Sequence, residues 1–202
     1  MKNKSGKMST QTIVMSAILT AIVVVLQFMG SFIKLGQFSV SLVLIPIIIG
    51  VAVGGAKIGA WLGFVFSMVV LLSGDAASFL AINVPGTIIT VLAKGILCGY
   101  ISGLIYQIVK KKNVYLAIIL ASIVCPMINT GVFLIGCFLF FIETIAGWAQ
   151  AAGLGENVLQ YMIVFLVGVN FIFELLVNIV LSPVILRLLN VRKNIQDERE
   201  EV

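Results

Sequence analysis

The chain has 202 residues, of which 61% are hydrophobic and 10% charged, with a formal net charge of +5 and a mean hydropathy of +1.20. A soluble domain would carry about a quarter charged residues, so a soluble globular protein is excluded. Histidine is absent, which removes imidazole bases and histidine metal ligands from consideration.

A helix needs about 20 apolar residues to cross the hydrocarbon of a bilayer. The first apolar span follows Lys7 and covers about 11–31, and the second covers about 38–54. A third, about 58–73, stops at Ser73-Gly74-Asp75. The fourth, about 84–108, is interrupted only by Lys94; the fifth is about 114–142; the sixth, about 160–187, is interrupted only by Glu174. The second and third are short, and one crossing plus a re-entrant piece is the alternative. Charge placement decides for six. With the N-terminus inside, the cytoplasmic side carries Lys2, Lys4, Lys7, Lys57, Lys110, Lys111, Lys112, Arg187, Arg192, Lys193 and Arg199, and the outer side only Lys34. This is the positive-inside pattern, and five spans would break it. The expected fold is therefore all-α: a polytopic membrane protein with six transmembrane helices and cytoplasmic N- and C-termini. A single membrane domain is expected over 1–190 and a charged cytoplasmic tail over 191–202. The basic N-terminal flank resembles that of a signal peptide, but its apolar run is too long and lacks a small-residue cleavage site, so it reads as a retained first helix. The basic pI of about 9.2 follows from this topology, and no nucleic-acid partner is expected. The lipid bilayer is the chain's surroundings.

The outer loops are then about 32–39, 74–83 and 143–159, while the inner connections at Gly54-Gly55-Ala56-Lys57 and Lys110–Asn113 are tight. At membrane depth, Lys94 and Glu174 would each cost ~2.5–3.5 kcal/mol if they faced lipid. Both should face the interior, as an ion pair or as the lining of a polar cavity. Asn170, Glu174 and Asn178 recur at i, i+4 and i+8 and form one stripe. Asn129 sits mid-span, three residues after Pro126, which removes a backbone hydrogen bond and can kink the helix. A polar patch built by spans four, five and six follows, with asparagine bonding between helices as the competing account. With Asn83 just ahead of span four, the candidate substrate-binding residues are Lys94, Asn129, Asn170, Glu174 and Asn83.

Small residues form a second pattern. Span four carries Gly95, Gly99 and Gly103, span three Gly59 and Gly63, and span one Ala17-x-x-x-Ala21. Such spacing lets helix backbones approach closely, and the Ala17/Ala21 pair is also a candidate docking face for another protein's helix. Gly50 to Lys57 is not a Walker A loop, because Ala56 separates Gly55 from Lys57 and Ile58 replaces Ser/Thr. With two aspartates in all and no H-E-x-x-H or G-x-S-x-G, no catalytic residues are expected. No metal site and no cofactor are expected either. Cys98, Cys125 and Cys137 lie in apolar runs without C-x-x-C spacing and read as buried thiols.

Six short spans, the basic N-terminus, Ala17-x-x-x-Ala21, the segment from Ser39 through Pro46 to Gly50, and Gly55-Ala56-Lys57-Ile58-Gly59-Ala60 together resemble the S component of an energy-coupling factor (ECF) transporter. The resemblance covers nearly all of residues 8–190 and is nearest to the pantothenate, folate and riboflavin branch. It implies a membrane subunit of an ABC importer that captures a water-soluble vitamin outside. The subunit would dock on a transmembrane T component carrying two cytoplasmic ATPases and release the vitamin inside. The resemblance also maps the T-component contact onto Ala17 and Ala21. It places the substrate pocket between spans four to six beneath the outer loops, in a bacterial plasma membrane. Lys94 would suit the carboxylate of pantothenate, then folate; if Glu174 neutralises it, riboflavin is favoured. A thiamine-type cation would want an aromatic cage, and neither Trp61 nor Trp148 lies near the polar stripe in sequence. Without histidine, the nickel and cobalt branch is disfavoured. A stand-alone small transporter or channel and a structural membrane protein are the alternatives.

Overall fold

The computed structural model describes residues 10–31, 34–35, 38–39, 42–155 and 157–200. The N-terminal lysines, Gly36, Gln37 and Glu156 of the sequence reading lie outside them. The described elements are α1 (Thr10–Gly30), β1 (Lys34–Leu35), β2 (Phe38–Ser39), α2 (Leu44–Leu72), α3 (Ala77–Leu80), α4 (Val84–Val109), α5 (Val114–Phe140), α6 (Ile142–Ala151), α7 (Val158–Gln160), a π-helix (Tyr161–Gly168) and α8 (Val169–Glu200). Apart from the two-residue antiparallel hairpin β1–β2, these elements are all helical. The chain is thus an all-α polytopic membrane protein. Five helical stretches are long and apolar enough to cross a membrane: α1, α2, α4, α5 and Asn170–Arg187 of α8.

The expected second and third spans meet within α2. At Gly55 the backbone leaves the helix with φ 74 and ψ −162, a conformation open to glycine because it has no Cβ. The two arms then fold against each other: Gly50 lies on Leu62 and Ile58, and Gly59 on Val51. Contacts this far apart in sequence cannot form within one straight helix. The arm over 44–54 is mostly buried and begins six residues later than the sequence reading placed it. It is about 16 Å long at 1.5 Å per residue.

The second arm, 56–72, runs antiparallel to α4 with Ala56 against Gly103, Gly59 against Gly99 and Gly63 against Gly95. A Cβ on Gly63 would run into the Gly95 carbonyl. Ser67 adds a bond across this seam, its Oγ donating to the Val91 carbonyl at 2.7 Å. The next turns alternate likewise. Gly136 of α5 meets Thr90 and Phe140 meets Gly86, so α5 is antiparallel to α4, and it continues unbroken through Pro126. On the other flank, Trp61 Nε1 donates to Thr20 Oγ1 at 3.1 Å and Gln27 Nε2 donates to Asp75 Oδ2 at 2.7 Å. These contacts set α1 parallel to the second arm of α2. Ile185 and Leu186 of α8 belong to one buried cluster with Ala117, Ile118 and Tyr106.

Six apolar helical segments therefore alternate in direction, and α1 starts at the end of the bundle where α8 runs out. Lys57, Lys110, Lys111 and Lys112, on the tight connections, and Arg187, within α8, sit exposed toward that same end. The opposite end holds the longer connections, and these are partly helical. α3 lies within the 74–83 loop and α6 within the 143–159 loop. α8 continues to Glu200, so the stretch read as a tail prolongs the last helix.

Candidate functional site

A cavity opens between the helices in the half of the bundle away from the basic end. It is lined by Gln27 from α1, Val70 from α2, Asp75 and Ala76 from the following turn, and Phe79 from α3. Thr87, Thr90, Val91 and Lys94 come from α4, and Asn129, Thr130 and Phe133 from α5, followed by Phe141. Leu166 and Val167 of the π-helix and Asn170, Phe171 and Glu174 of α8 complete the wall.

Four of the five expected site residues, Lys94, Asn129, Asn170 and Glu174, share this lining. Lys94 lies ten residues into α4, about 15 Å below its start at 1.5 Å per residue, which puts the charged groups at the cavity floor. Glu174 and Asp75 line the same cavity as the Lys94 ammonium. The ammonium also sits 5.5 Å from the ring centroids of both Phe66 and Phe133, within reach of the electron-rich faces of aromatic rings. Glu174 is buried, and its backbone carbonyl accepts from Asn178 Nδ2 at 2.7 Å. Asn178, the third member of the stripe, does not line the cavity.

Asn83 has a different place. Its side chain accepts from the Gly86 amide at 2.9 Å, and its backbone is extended, with proline following in the first turn of α4. It is the N-cap of α4, a position where an asparagine oxygen satisfies one of the helix's free N–H groups. It is not among the cavity-lining residues.

Several lining residues were not singled out from sequence. Gln27 is 1% exposed on the inward stripe of α1 with Ser16, Leu19, Val23 and Gly30, and it holds Asp75 in the cavity wall. The thread that would have found it is that a long amide inside an apolar span needs a polar partner. Thr87, Thr90 and Thr130 carry no such signal, because a threonine hydroxyl can bond back to its own helix, as Thr87 does to the Asn83 carbonyl at 2.7 Å.

Aromatic side chains form the roof. Phe79 packs edge-to-face on Phe133 at 5.7 Å, on Phe141 at 4.9 Å and on Trp148 at 5.8 Å between centroids. The sequence reading set Trp148 apart from the polar stripe, but α6 folds back and brings its ring onto this cluster. The aromatic surface at the cavity itself is made by phenylalanines.

Among the described residues, Gln27 Oε1, Thr90 Oγ1, Asn129 Oδ1 and Asn170 Oδ1 are buried without a hydrogen-bond partner, and all four residues line the cavity. Ser122 Oγ and Asn178 Oδ1 share that state but lie outside the lining. An unsatisfied buried polar group costs about 1–3 kcal/mol. Four residues that carry such a group border one cavity, which makes it a candidate site for something polar, water or ligand.

Ala17 and Ala21 are exposed on the face of α1 opposite its buried stripe. Neither belongs to the buried core cluster of the described residues.

Fold and cavity together define a multi-pass membrane protein with a small recess of mixed polar and phenyl lining between its helices. The chain belongs to the ECF transporter substrate-specific component family, whose model matches residues 11–186. That family is one of transporters, and it implies association with a T component and ATPases. No curated protein and no solved structure matches the chain.

Proposed function

We propose that this chain captures a water-soluble vitamin in the cavity beneath α3 and hands it across the bacterial plasma membrane. The handover takes place after docking on a T component that bears two cytoplasmic ATPases. The observation that carries this reading is that four residues with unpartnered buried polar groups line one recess together with Lys94, Asp75 and Glu174. The exposed lysines and Arg187 at the opposite end support an orientation with that end in the cytoplasm and the recess facing outward. Ala17 and Ala21 are the T-component contact in this reading, since small exposed residues on an apolar helix admit a second backbone closely.

The cavity measures about 80 Å³, below the ~300–1,000 Å³ of small-molecule sites. A vitamin therefore enters by displacing part of the wall. A carboxylate vitamin, pantothenate or folate, would take its anchor from Lys94. An uncharged one, riboflavin, would rest on the amides, hydroxyls and phenyl rings. A stand-alone channel fits the recess less well, because among the described residues the cavity lining ends at Lys94 and Glu174 on the side of the basic end.

Native mass spectrometry of the purified chain, expressed in rich medium, tests the reading. A retained compound of vitamin mass is expected. An empty chain that also binds no member of a vitamin panel would sink it.

A further inference from the structure

The polar atoms of the recess that lack a partner fall into two sets, enclosed and open. Resting on the vitamin-binding reading above, we infer that the ligand is a carboxylic acid whose carboxylate sits on the Lys94 ammonium and whose other oxygens meet the amide nitrogens of Asn129 and Asn170. An ammonium has three N–H donors and no acceptor. Among the described residues Lys94 Nζ makes no hydrogen bond or ion pair. The groups around it are the rings of Phe66 and Phe133, with centroids 5.5 Å away. Nζ is not one of the enclosed polar atoms without a partner. Lys94 keeps part of its surface accessible ten residues into a membrane-spanning helix, and it lines the cavity. Its donors therefore open into the recess.

The amides follow the same pattern. The Oδ1 atoms of Asn129 and Asn170 are enclosed. Their Nδ2 atoms are neither enclosed nor hydrogen-bonded among the described residues, so both side chains turn N–H donors toward the cavity they line. The acceptors of the wall are placed differently. Asp75 and Glu174 have interactions of their own within the chain, and Asp75 accepts from Gln27 Nε2 at 2.7 Å. The Gln27 Oε1 atom is enclosed. What the open lining lacks is acceptors, and an ionised carboxylate only accepts. Its bond to an ammonium is charge-assisted, roughly twice as strong as a neutral one. Its single charge also matches one ammonium. A phosphate, with a charge of about −1.5 to −2, would exceed it in a wall that already holds Asp75 and Glu174.

Calorimetric titration of the purified, ligand-stripped full chain tests this with three acids, pantothenate, folate and biotin, and two vitamins without a carboxylate, riboflavin and thiamine. One of the acids is expected to bind tightest. Its neutral counterpart, with a primary amide or alcohol in place of each carboxylate, should bind at least about tenfold more weakly, the worth of one hydrogen bond to a charged group. Lys94→Met removes the ammonium and keeps an unbranched side chain, and in it the acid and its neutral counterpart should bind alike. Riboflavin or thiamine binding tightest would overturn the inference while leaving vitamin capture standing. So would an acid that binds no better than its neutral counterpart, or a folded Lys94→Met chain that still prefers the acid. If none of the five binds, the compound that native mass spectrometry finds on the chain decides. One with a carboxylate supports the inference, one without overturns it, and an empty chain sinks both the inference and the vitamin reading. The comparison of ligands on the unmodified chain does not depend on any variant folding.

Discussion

The seam between α2 and α4 has two regions built on opposite principles. Toward the basic end, Ala56, Gly59 and Gly63 meet Gly103, Gly99 and Gly95 backbone to backbone. Toward the other end the same two helices contribute Val70, Thr87, Thr90, Val91 and Lys94 to the lining of a cavity. Without a hydrophobic drive between helices in lipid, association rests on close packing and hydrogen bonds. The glycine region supplies the packing, and so lets the other region leave polar groups unmatched. Stability and binding are thus separated along one helix pair.

The largest effect should come from breaking the packed region. Gly63→Leu puts a side chain into the Gly95 carbonyl and should prevent the chain from accumulating as a monodisperse species on size-exclusion chromatography in detergent. A chain that elutes normally would mean that the glycine seam does not hold the bundle. Gly131→Ala is the control. Nothing lies within 4 Å of its would-be Cβ, so a gain of up to about 1 kcal/mol is expected from helix propensity alone.

Ala17→Trp touches neither region. It should abolish vitamin uptake by cells while the solitary chain keeps its affinity. Lost binding with assembly of the partner complex intact would contradict the docking assignment. Within the cavity, Asn129→Ala should lower affinity by about tenfold, the worth of one buried hydrogen bond, with the melting temperature little changed. An unaltered dissociation constant would remove Asn129 from the site. The smallest effect is expected at Asn83→Ala. Loss of the α4 cap should cost about 1 kcal/mol of stability and leave affinity untouched, and a fall in affinity would return Asn83 to the binding set.

The packed region and the cavity were not equally legible in the sequence. Glycines four apart in apolar helices announce close approach whatever their partner, and the break at Gly54-Gly55 was visible as a tight, lysine-flanked connection. Lys94, Glu174, Asn129 and Asn170 stood out because polar groups at membrane depth are expensive. Asp75 did not, since an acid in a loop costs nothing until the fold carries it into a wall. Gln27 sits near the end of its span, where an amide can be read as reaching the interface. Asn83 was open to a better reading: an asparagine followed two residues on by proline, ahead of an apolar run, is a helix-start signature. The π-helix and the packing of α3 and α6 over the recess arise from tertiary contacts among Phe79, Phe141, Trp148 and Tyr161, which no local pattern specifies.

One rod, α1, bears two of the features described above. Its outward face presents Ala17 and Ala21, and ten residues on from Ala17 its inward stripe carries Gln27, bonded to Asp75 in the cavity wall. Helix Thr10–Gly30 is continuous, so a partner that shifts or tilts it also moves a wall of the ligand site. Linkage then works in both directions. Whatever factor docking imposes on ligand affinity, the ligand imposes on docking, and an occupied and an empty subunit would compete unequally for the same partner.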